Sequence, residues 1–397
     1  MPNAVITAAR RTPIGRFLGS FSEVPAPALG AAAARAALEA ARLEPEAVDE
    51  LIFGQARLAG TGPNPARQVA RGAGLPDHIP SFTVNKACGS GLKAVVLGSQ
   101  AIRLGEARAV VVGGMENMSR TPYLLDRART GYRMGHGSLL DAMYQDGFLD
   151  PLSGMLMGET AEKLAERDRL TRGEQDEYAL ESQRRTAAAW EAGNFDAEVV
   201  AVEGRDASGR LIRVERDEHF RPDSTLEKLA KLAPVFKPNG GVTAGNSSGI
   251  TDGAAALVLM EEEAARRGGH PVLGRLVSHT QVGVDPSIMG IGPVPALRQL
   301  FERTGLGPGD VDLYEVNEAF AAQVLSCLRE LPLPRERLNV NGGAIALGHP
   351  IGATGARILV TLVHEMRRRG ARRGIATLCI SGGQGMALLV ERDADMG

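Results

Sequence analysis

Only three cysteines occur in 397 residues, Cys88, Cys327 and Cys379. An odd number so widely spaced excludes a disulfide framework and a cysteine-rich metal site. Neither an HExxH nor a CxxC pattern is present, so no metal and no permanently bound cofactor is expected. Aromatic residues make up 4% of the chain, which offers little surface for stacking on bases. Forty-five Lys and Arg stand against 47 Asp and Glu, a net charge of −2, so no basic excess draws the chain to nucleic acid. Lysine is scarce, with six residues against 39 arginines. No apolar run approaches the roughly 18 to 20 residues of a membrane helix. The first eleven residues reach two arginines, Arg10 and Arg11, and read as a short strand, not a signal peptide. The expected location is the cytoplasm, with no membrane partner.

What is present is ordinary in bulk and informative in arrangement. The length suits about two to three domains. Ala4–Thr7, Ala109–Val112, Ala255–Met260 and Ile375–Ile380 are short buried-strand signals. Ala-rich stretches such as Ala28–Ala41 alternate with them as helices. This pattern predicts an α/β fold with a mixed or parallel sheet. An internal repeat sharpens it. Leu, Pro, Val and Asp of Leu43-Glu-Pro-Glu-Ala-Val-Asp recur 263 residues later in Leu306-Gly-Pro-Gly-Asp-Val-Asp. Gly89-Ser-Gly-Leu-Lys-Ala and Ala353-Thr-Gly-Ala-Arg-Ile follow at an offset of 264, each at a helix start. The chain therefore reads as a duplicated α/β unit, roughly 1–118 and 250–397. A compositionally different insertion, 119–249, is carried on the first half. Thr171–Glu174 and Ser224–Glu227 both fit the capping box within it, and the first opens a helix over Gln175–Trp190.

Several residues are placed for chemistry. Cys88 follows the strand-like Ser81–Ala87 and precedes a helix start flanked by glycines. The unpaired N–H groups and positive dipole end there favour a thiolate, the reactive form of cysteine. The same stretch fits a GxGxxA dinucleotide fingerprint, but polar Asn85 and Lys86 precede the turn. No acid ends a second strand about 20 residues on; Glu116 lies 27 residues after Gly89. His349 precedes a helix running to about Arg369, equivalent by the repeat to the one opened by Cys88. A helix N-terminus keeps imidazole neutral and able to accept a proton. Cys379 ends a strand before Ser381-Gly-Gly-Gln-Gly, whose main-chain N–H groups suit an oxyanion hole. Asn317 and Glu318 follow the apolar Leu313–Val316, as in a site at strand carboxyl ends, or as a helix cap. Cys327 fits the apolar face of a helix and reads as core.

Four blocks in order resemble the thiolase family: Cys88-Gly-Ser-Gly-Leu-Lys-Ala, Asn317-Glu-Ala-Phe, Gly348-His-Pro-Ile-Gly-Ala-Thr-Gly-Ala-Arg and Cys379-Ile. The likeness runs from Arg11-Thr-Pro-Ile-Gly to Gly382-Gly-Gln-Gly, essentially the whole chain. It implies two duplicated αβαβα-type halves, each with a five-stranded mixed sheet, plus an inserted loop domain. It also implies an acyltransferase that makes or thiolyses 3-ketoacyl-CoA through an acyl-cysteine. In that resemblance Cys88 is the nucleophile, His349 its base, and Cys379 exchanges the α-carbon proton of a second acetyl-CoA. His349 and a water held by Asn317 would serve the enolate oxygen. The main-chain N–H groups of Cys88 and Ser381 would serve the tetrahedral intermediate. Ser381 stands where many thiolases have Gly, which puts its local backbone in question.

The resemblance implies coenzyme A and acyl-CoA as the molecules bound. Arg221 would meet the adenosine–phosphate end. Met157, Phe236, Ala244, Ser248, Ala319 and Phe320 would line the pantetheine channel and acyl end, and Met289 also matches the family. Lys228, Lys231 and Lys237 lie near these positions in sequence, at least one of them reading as a solvated helix face. Leu156 precedes Met157 where biosynthetic members often have His, leaving acetoacetyl-CoA and longer 3-ketoacyl-CoA both open. Gly131–Ser138 resembles the loop through which thiolase dimers pair, implying a homotetramer. Two alternatives stay open at this point. A decarboxylating condensing enzyme shares the fold but usually has His or Asn in place of Cys379. An acyl-CoA-binding protein with a silent site would bind CoA without turnover.

Overall fold

The computed structural model describes residues 2–392. Nine principal strands build one large mixed sheet. They are β1 (Ala4–Arg11), β2 (Glu50–Gly54), β3 (Ser81–Val84), β4 (Ala109–Asn117), β5 (Thr251–Glu261), β6 (Gly274–Gly283), β7 (Leu313–Val316), β8 (Arg373–Ile380) and β9 (Gln384–Glu391). Their order is β7-β8-β9-β6-β1-β5-β4-β2-β3, and the two-residue strand Gly15–Arg16 joins β5 as the tenth. The duplication is plain in the pairing. β3-β2-β4 are parallel, and β5 and β1 follow antiparallel. In the second half a parallel bridge Leu338–Tyr314 leads into β7, parallel to β8, with β9 and β6 again antiparallel. The two halves, five strands in the first and four plus the Leu338 bridge in the second, meet where Val5 pairs Arg275 and Ile6 pairs Gly274. The two half-sheets are thus joined edge to edge.

Strand pairing moves one boundary. Residues 251–261, expected in the second half, lie between β4 and β1 and complete the first half-sheet. The two halves change over between β5 and β6, because β5 is the strand that returns after the insertion. The second half makes the same β8-to-β9 connection with the short turn Ser381–Gly383.

The strands alternate with period two, and both faces are buried. In β4, Val110 and Val112 join one core cluster while Ala109, Val111 and Met115 join another. Helices α2 (Ser90–Leu104) and α7 (Ile351–Arg369) form the layer between the half-sheets. Their Leu92, Val95, Ile358, Leu359 and Leu362 pack with Val112 and Leu257 of one half-sheet and Leu378 and Leu388 of the other. Helix α1 (Ala26–Ala41) covers the outside of the first half-sheet, and α5 (Pro293–Thr304) and α6 (Ala321–Glu330) that of the second.

The first turns of α2 and α7 touch main chain to main chain. A Cβ on Gly91 would stand 2.8 Å from the nitrogen of Ala356, and one on Gly355 would stand 2.4 Å from that of Leu92. Only glycine permits this approach. It brings together the segments just ahead of the two helices, which carry Cys88 and His349. In the insertion, α3 (Met157–Arg167) is followed by α4 (Arg172–Glu191), where Thr171 and Glu174 make the expected capping box. At the second expected box the cap is Thr225, one residue on from Ser224, whose hydroxyl turns back to the carbonyl of Arg221.

Candidate active site

Cys88, Asn317 and Cys379 sit at or just past carboxyl ends of strands, as the topology of an open α/β sheet favours, while His349 lies between the short helix Ala344–Leu347 and α7. Cys88 lies between β3 and α2 in a tight turn. Ala87 there has φ +46°, a left-handed conformation that costs a residue with a side chain. Side chains hold it: the side-chain Oδ1 of Asn85 accepts from the N–H of Ala87 at 3.0 Å. The Ser90 hydroxyl donates to the carbonyl of Ala87 at 2.6 Å and accepts from the N–H of Lys86 at 2.8 Å.

A cavity of about 590 Å³ opens in front of this turn. Cys88 of the first half and His349, Cys379 and Ser381 of the second all line it. So do Met157, Arg221, Phe236, Ala244, Ser248, Met289, Ala319 and Phe320. Ser381 of the second half and Cys88 of the first line the same cavity, and the Ser381 main chain favours the charged form of the Cys88 sulfur. The positive φ angles of its turn fall on Gly382 (80°) and Gly383 (77°), so serine at 381 causes no strain.

The pKa of Cys88 departs from the expectation set by its helix start. Burial pushes the thiol up, and the Ser381 N–H and the Arg57 guanidinium only partly offset it. Desolvation outweighs the helix end, so the resting group is a thiol. Cys379, 2% exposed, is pushed well above the ordinary thiol value, by burial first and by Cys88 second. Burial, with Arg357 and Arg57 nearby, pushes His349 down to about 3. The imidazole is therefore neutral near pH 7. Its Nδ1 hydrogen-bonds the Thr354 hydroxyl at 2.6 Å.

Asn317 is fully buried and is not among the residues that line the cavity. Its N–H donates to the carbonyl of Thr377 at 3.0 Å, while its side-chain amide is wholly buried with neither atom paired. None of Lys228, Lys231 and Lys237 lines the cavity. Lys228 donates to Asp223 at 2.6 Å and Lys237 pairs with Glu166, so nearness in sequence misplaced them. Cys327 is core: burial raises its thiol to about 12, and it donates to the carbonyl of Gly290.

Sequence reading missed several wall residues. Arg57, Met118, Tyr144, Phe148 and Ile351 surround the Cys88 side, and His219 stands with Arg16 and Arg221 in the lining. Glu116, too far along the chain to serve as a ribose-binding acid, is wholly buried near the end of β4. A polar residue closing an apolar strand is the signal it carries, as Asn317 and Glu318 do after Leu313–Val316.

The chain is similar to known proteins over nearly its whole length. Residues 4–263 match the model of the thiolase N-terminal domain, and residues 270–392 that of the thiolase C-terminal domain. An acetyl-CoA acetyltransferase of Pseudomonas aeruginosa is 53% identical over 99% of this chain and all of its own. The crystal structure of the Bacillus anthracis acetyl-CoA acetyltransferase superposes with a TM-score of 0.96 at 46% identity, covering 98% of this chain and 99% of that one. Human mitochondrial 3-ketoacyl-CoA thiolase in complex with CoA superposes at 0.95 with 42% identity, covering 99% and 98%. The chain belongs to the thiolase family.

Proposed function

We propose that this thiolase cleaves and forms 3-ketoacyl-CoA through an acyl group carried on Cys88. One observation carries the reading. A nucleophile from one half shares a single cavity with a neutral imidazole and a second thiol from the other.

In the cleaving direction, His349 takes the thiol proton as the sulfur attacks the 3-keto carbon. Because burial keeps Cys88 protonated, transfer and attack are coupled rather than preceded by a standing thiolate. The oxyanion that forms lies toward the main-chain N–H groups of Cys88 and Ser381. The C2–C3 bond then breaks, and its electrons pass to the acetyl-CoA enolate, whose oxygen faces His349 and the Asn317 side. Cys379 supplies the proton that C2 needs. Acetyl-CoA leaves and free CoA enters; the Cys379 thiolate takes its thiol proton, its sulfur takes the acyl group from Cys88, and His349 returns the proton to the departing Cys88 sulfur. Two half-reactions on one covalent intermediate give ping-pong kinetics. Condensation is the reverse sequence.

The cavity wall supports CoA and acyl-CoA as the molecules bound. Arg221 gives a cation for the phosphates, and Met157, Phe236 and Phe320 give an apolar channel. Exposed Tyr132 and Met134 (93% exposed) support pairing of dimers through Gly131–Ser138 into a homotetramer. No helix among the described residues is long and apolar enough to cross a membrane, and the cytoplasm is the proposed location.

The test is acylation followed by intact-mass spectrometry. Incubation with acetyl-CoA or acetoacetyl-CoA should add one acetyl group to the chain, with Cys88→Ser unlabelled. A labelled Cys88→Ser variant that still releases CoA removes the nucleophile assignment.

A further inference from the structure

Glu116, near the end of β4, is wholly buried and takes no part in the reaction described above. Its carboxylate accepts three main-chain N–H groups. They come from Ala56 at 3.1 Å, Arg57 at 3.1 Å and Gly352 at 2.9 Å. Ala56 and Arg57 follow β2 in the first half. Gly352 is the second residue of α7 in the other half, three residues after His349. Its N–H is one that the helix itself cannot satisfy, and a negative group suits the positive end of the helix dipole.

The same node reaches the insertion. The Arg57 side chain donates to the carbonyl of Asp146 at 2.9 Å, and its guanidinium lies 5.9 Å from the centre of the Phe148 ring. One carboxylate therefore gathers the turn after β2, the start of α7 and, through Arg57, the wall segment 144–148. The glycine contacts at Gly91 and Gly355 set how closely α2 and α7 approach. A directed hydrogen bond to Gly352 sets where α7 stands along its own axis.

We propose that Glu116 is a positioning residue that fixes His349 relative to Cys88 across the two halves. The inference rests on the nucleophile and base assignments above. Its geometry matters because proton transfer between sulfur and imidazole tolerates little displacement. An error of about 1 Å in such a pair costs on the order of 100-fold in rate.

The test compares Glu116→Gln and Glu116→Asp with the parent enzyme in thiolysis of acetoacetyl-CoA. Rates are expressed per acylatable Cys88, counted by active-site titration, so that misfolded protein drops out. In Glu116→Gln one oxygen becomes an NH₂ group facing N–H donors. The rate per titrated site should fall about 30- to 100-fold, with KM for acetoacetyl-CoA within about threefold of the parent value. Glu116→Asp keeps both acceptor oxygens and should fall between the two. A rate per site in Glu116→Gln within threefold of the parent, or an Asp variant no better than Gln, overturns the proposal. If Glu116→Gln does not fold, Glu116→Asp decides alone: a slower rate per site at unchanged KM supports the proposal, and a parental rate overturns it. Failure of the underlying reading looks different, because the parent enzyme itself would then form no acyl-Cys88.

Discussion

Thr354 Oγ1 stands 2.6 Å from Nδ1 of His349 and 3.0 Å from the carbonyl oxygen of Pro350. The hydroxyl has one proton and gives it to the carbonyl, so toward the imidazole it accepts. That places the ring proton on Nδ1 and leaves Nε2 with its lone pair. Thr354→Val keeps the shape but removes the acceptor. Its kcat in thiolysis should fall about 10- to 100-fold with KM little changed, while Thr354→Ser stays near the parent. Steady-state kinetics with acetoacetyl-CoA check it, and a parental kcat for Thr354→Val shows that the ring needs no such partner.

The two cysteines of the cavity should separate by half-reaction. Cys379→Ala leaves the nucleophile and its base in place, so acetyl transfer from acetyl-CoA onto Cys88 should persist within about tenfold. Carbon–carbon bond formation should drop by at least about 1,000-fold, since the thiol that exchanges the proton at C2 is gone. Label incorporation reads the first step and acetoacetyl-CoA formation the second. Full condensation by Cys379→Ala takes away its role.

Much of this site was legible because chemistry and local pattern coincide. Cys88, His349 and Cys379 each adjoin an apolar strand or helix and a glycine-rich turn, and the repeat placed Cys88 and His349 at equivalent helix starts. The strand alternation was legible for the same local reason. What stayed hidden depends on contacts between distant segments. The membership of Thr251–Glu261 in the first half-sheet follows from a partner, β4, more than 130 residues earlier. Arg57 and Glu116 acquire meaning only where the halves meet. The Cys88 pKa reversed because a helix end is a local feature and desolvation is not.

The buried imidazole should mark the acid limb of stability. His349 is held down to about 3 by burial, with Arg357 and Arg57 adding to the effect, against about 6.5 in an unfolded chain. Below about 6.5 the unfolded chain takes up a proton that the folded chain refuses until about 3. Stability is therefore present above that window and lost progressively as pH falls through it. Urea midpoints between pH 7.5 and 4.5 should drop less steeply in His349→Asn than in the parent. Parallel slopes show that the imidazole is not held neutral.

The close crossing of α2 and α7 predicts intolerance at Gly91. An alanine there sets its Cβ 2.8 Å from the nitrogen of Ala356 and 3.0 Å from the carbonyl oxygen of Gly352. Main chain cannot swing aside as a flexible side chain can, so the helices must part. We expect a loss of about 1–3 kcal/mol in unfolding free energy. The rate per titrated site should fall as well, since parting the helices parts Cys88 from His349. A thermal or urea unfolding curve indistinguishable from the parent shows that the helices have room.

Arg11 gives the last prediction, on how the insertion is held. It is wholly buried, with its Nε 2.6 Å from Glu198 and its two terminal nitrogens 2.7 and 3.0 Å from the Asp217 oxygens. Asp217 also accepts from the N–H of Ile14 and the indole of Trp190, and Glu198 from the Thr361 hydroxyl of α7. The guanidinium thus ties β1 to both ends of segment 198–217, and α7 joins through Glu198. Arg11→Met fills similar space but leaves two carboxylates buried without their cation. Breaking such a cluster costs about 3–5 kcal/mol, most of it the orphaned charge rather than the lost attraction. Two consequences follow from that origin. Adding Glu198→Gln and Asp217→Asn to Arg11→Met should recover stability. The deficit of the single variant should also shrink as pH falls from 8 to 5, because the orphaned carboxyls then bind protons more readily folded than unfolded. Urea unfolding of the single and triple variants at both pH values reads both, and a triple variant weaker than the single one assigns the cost to lost contacts instead.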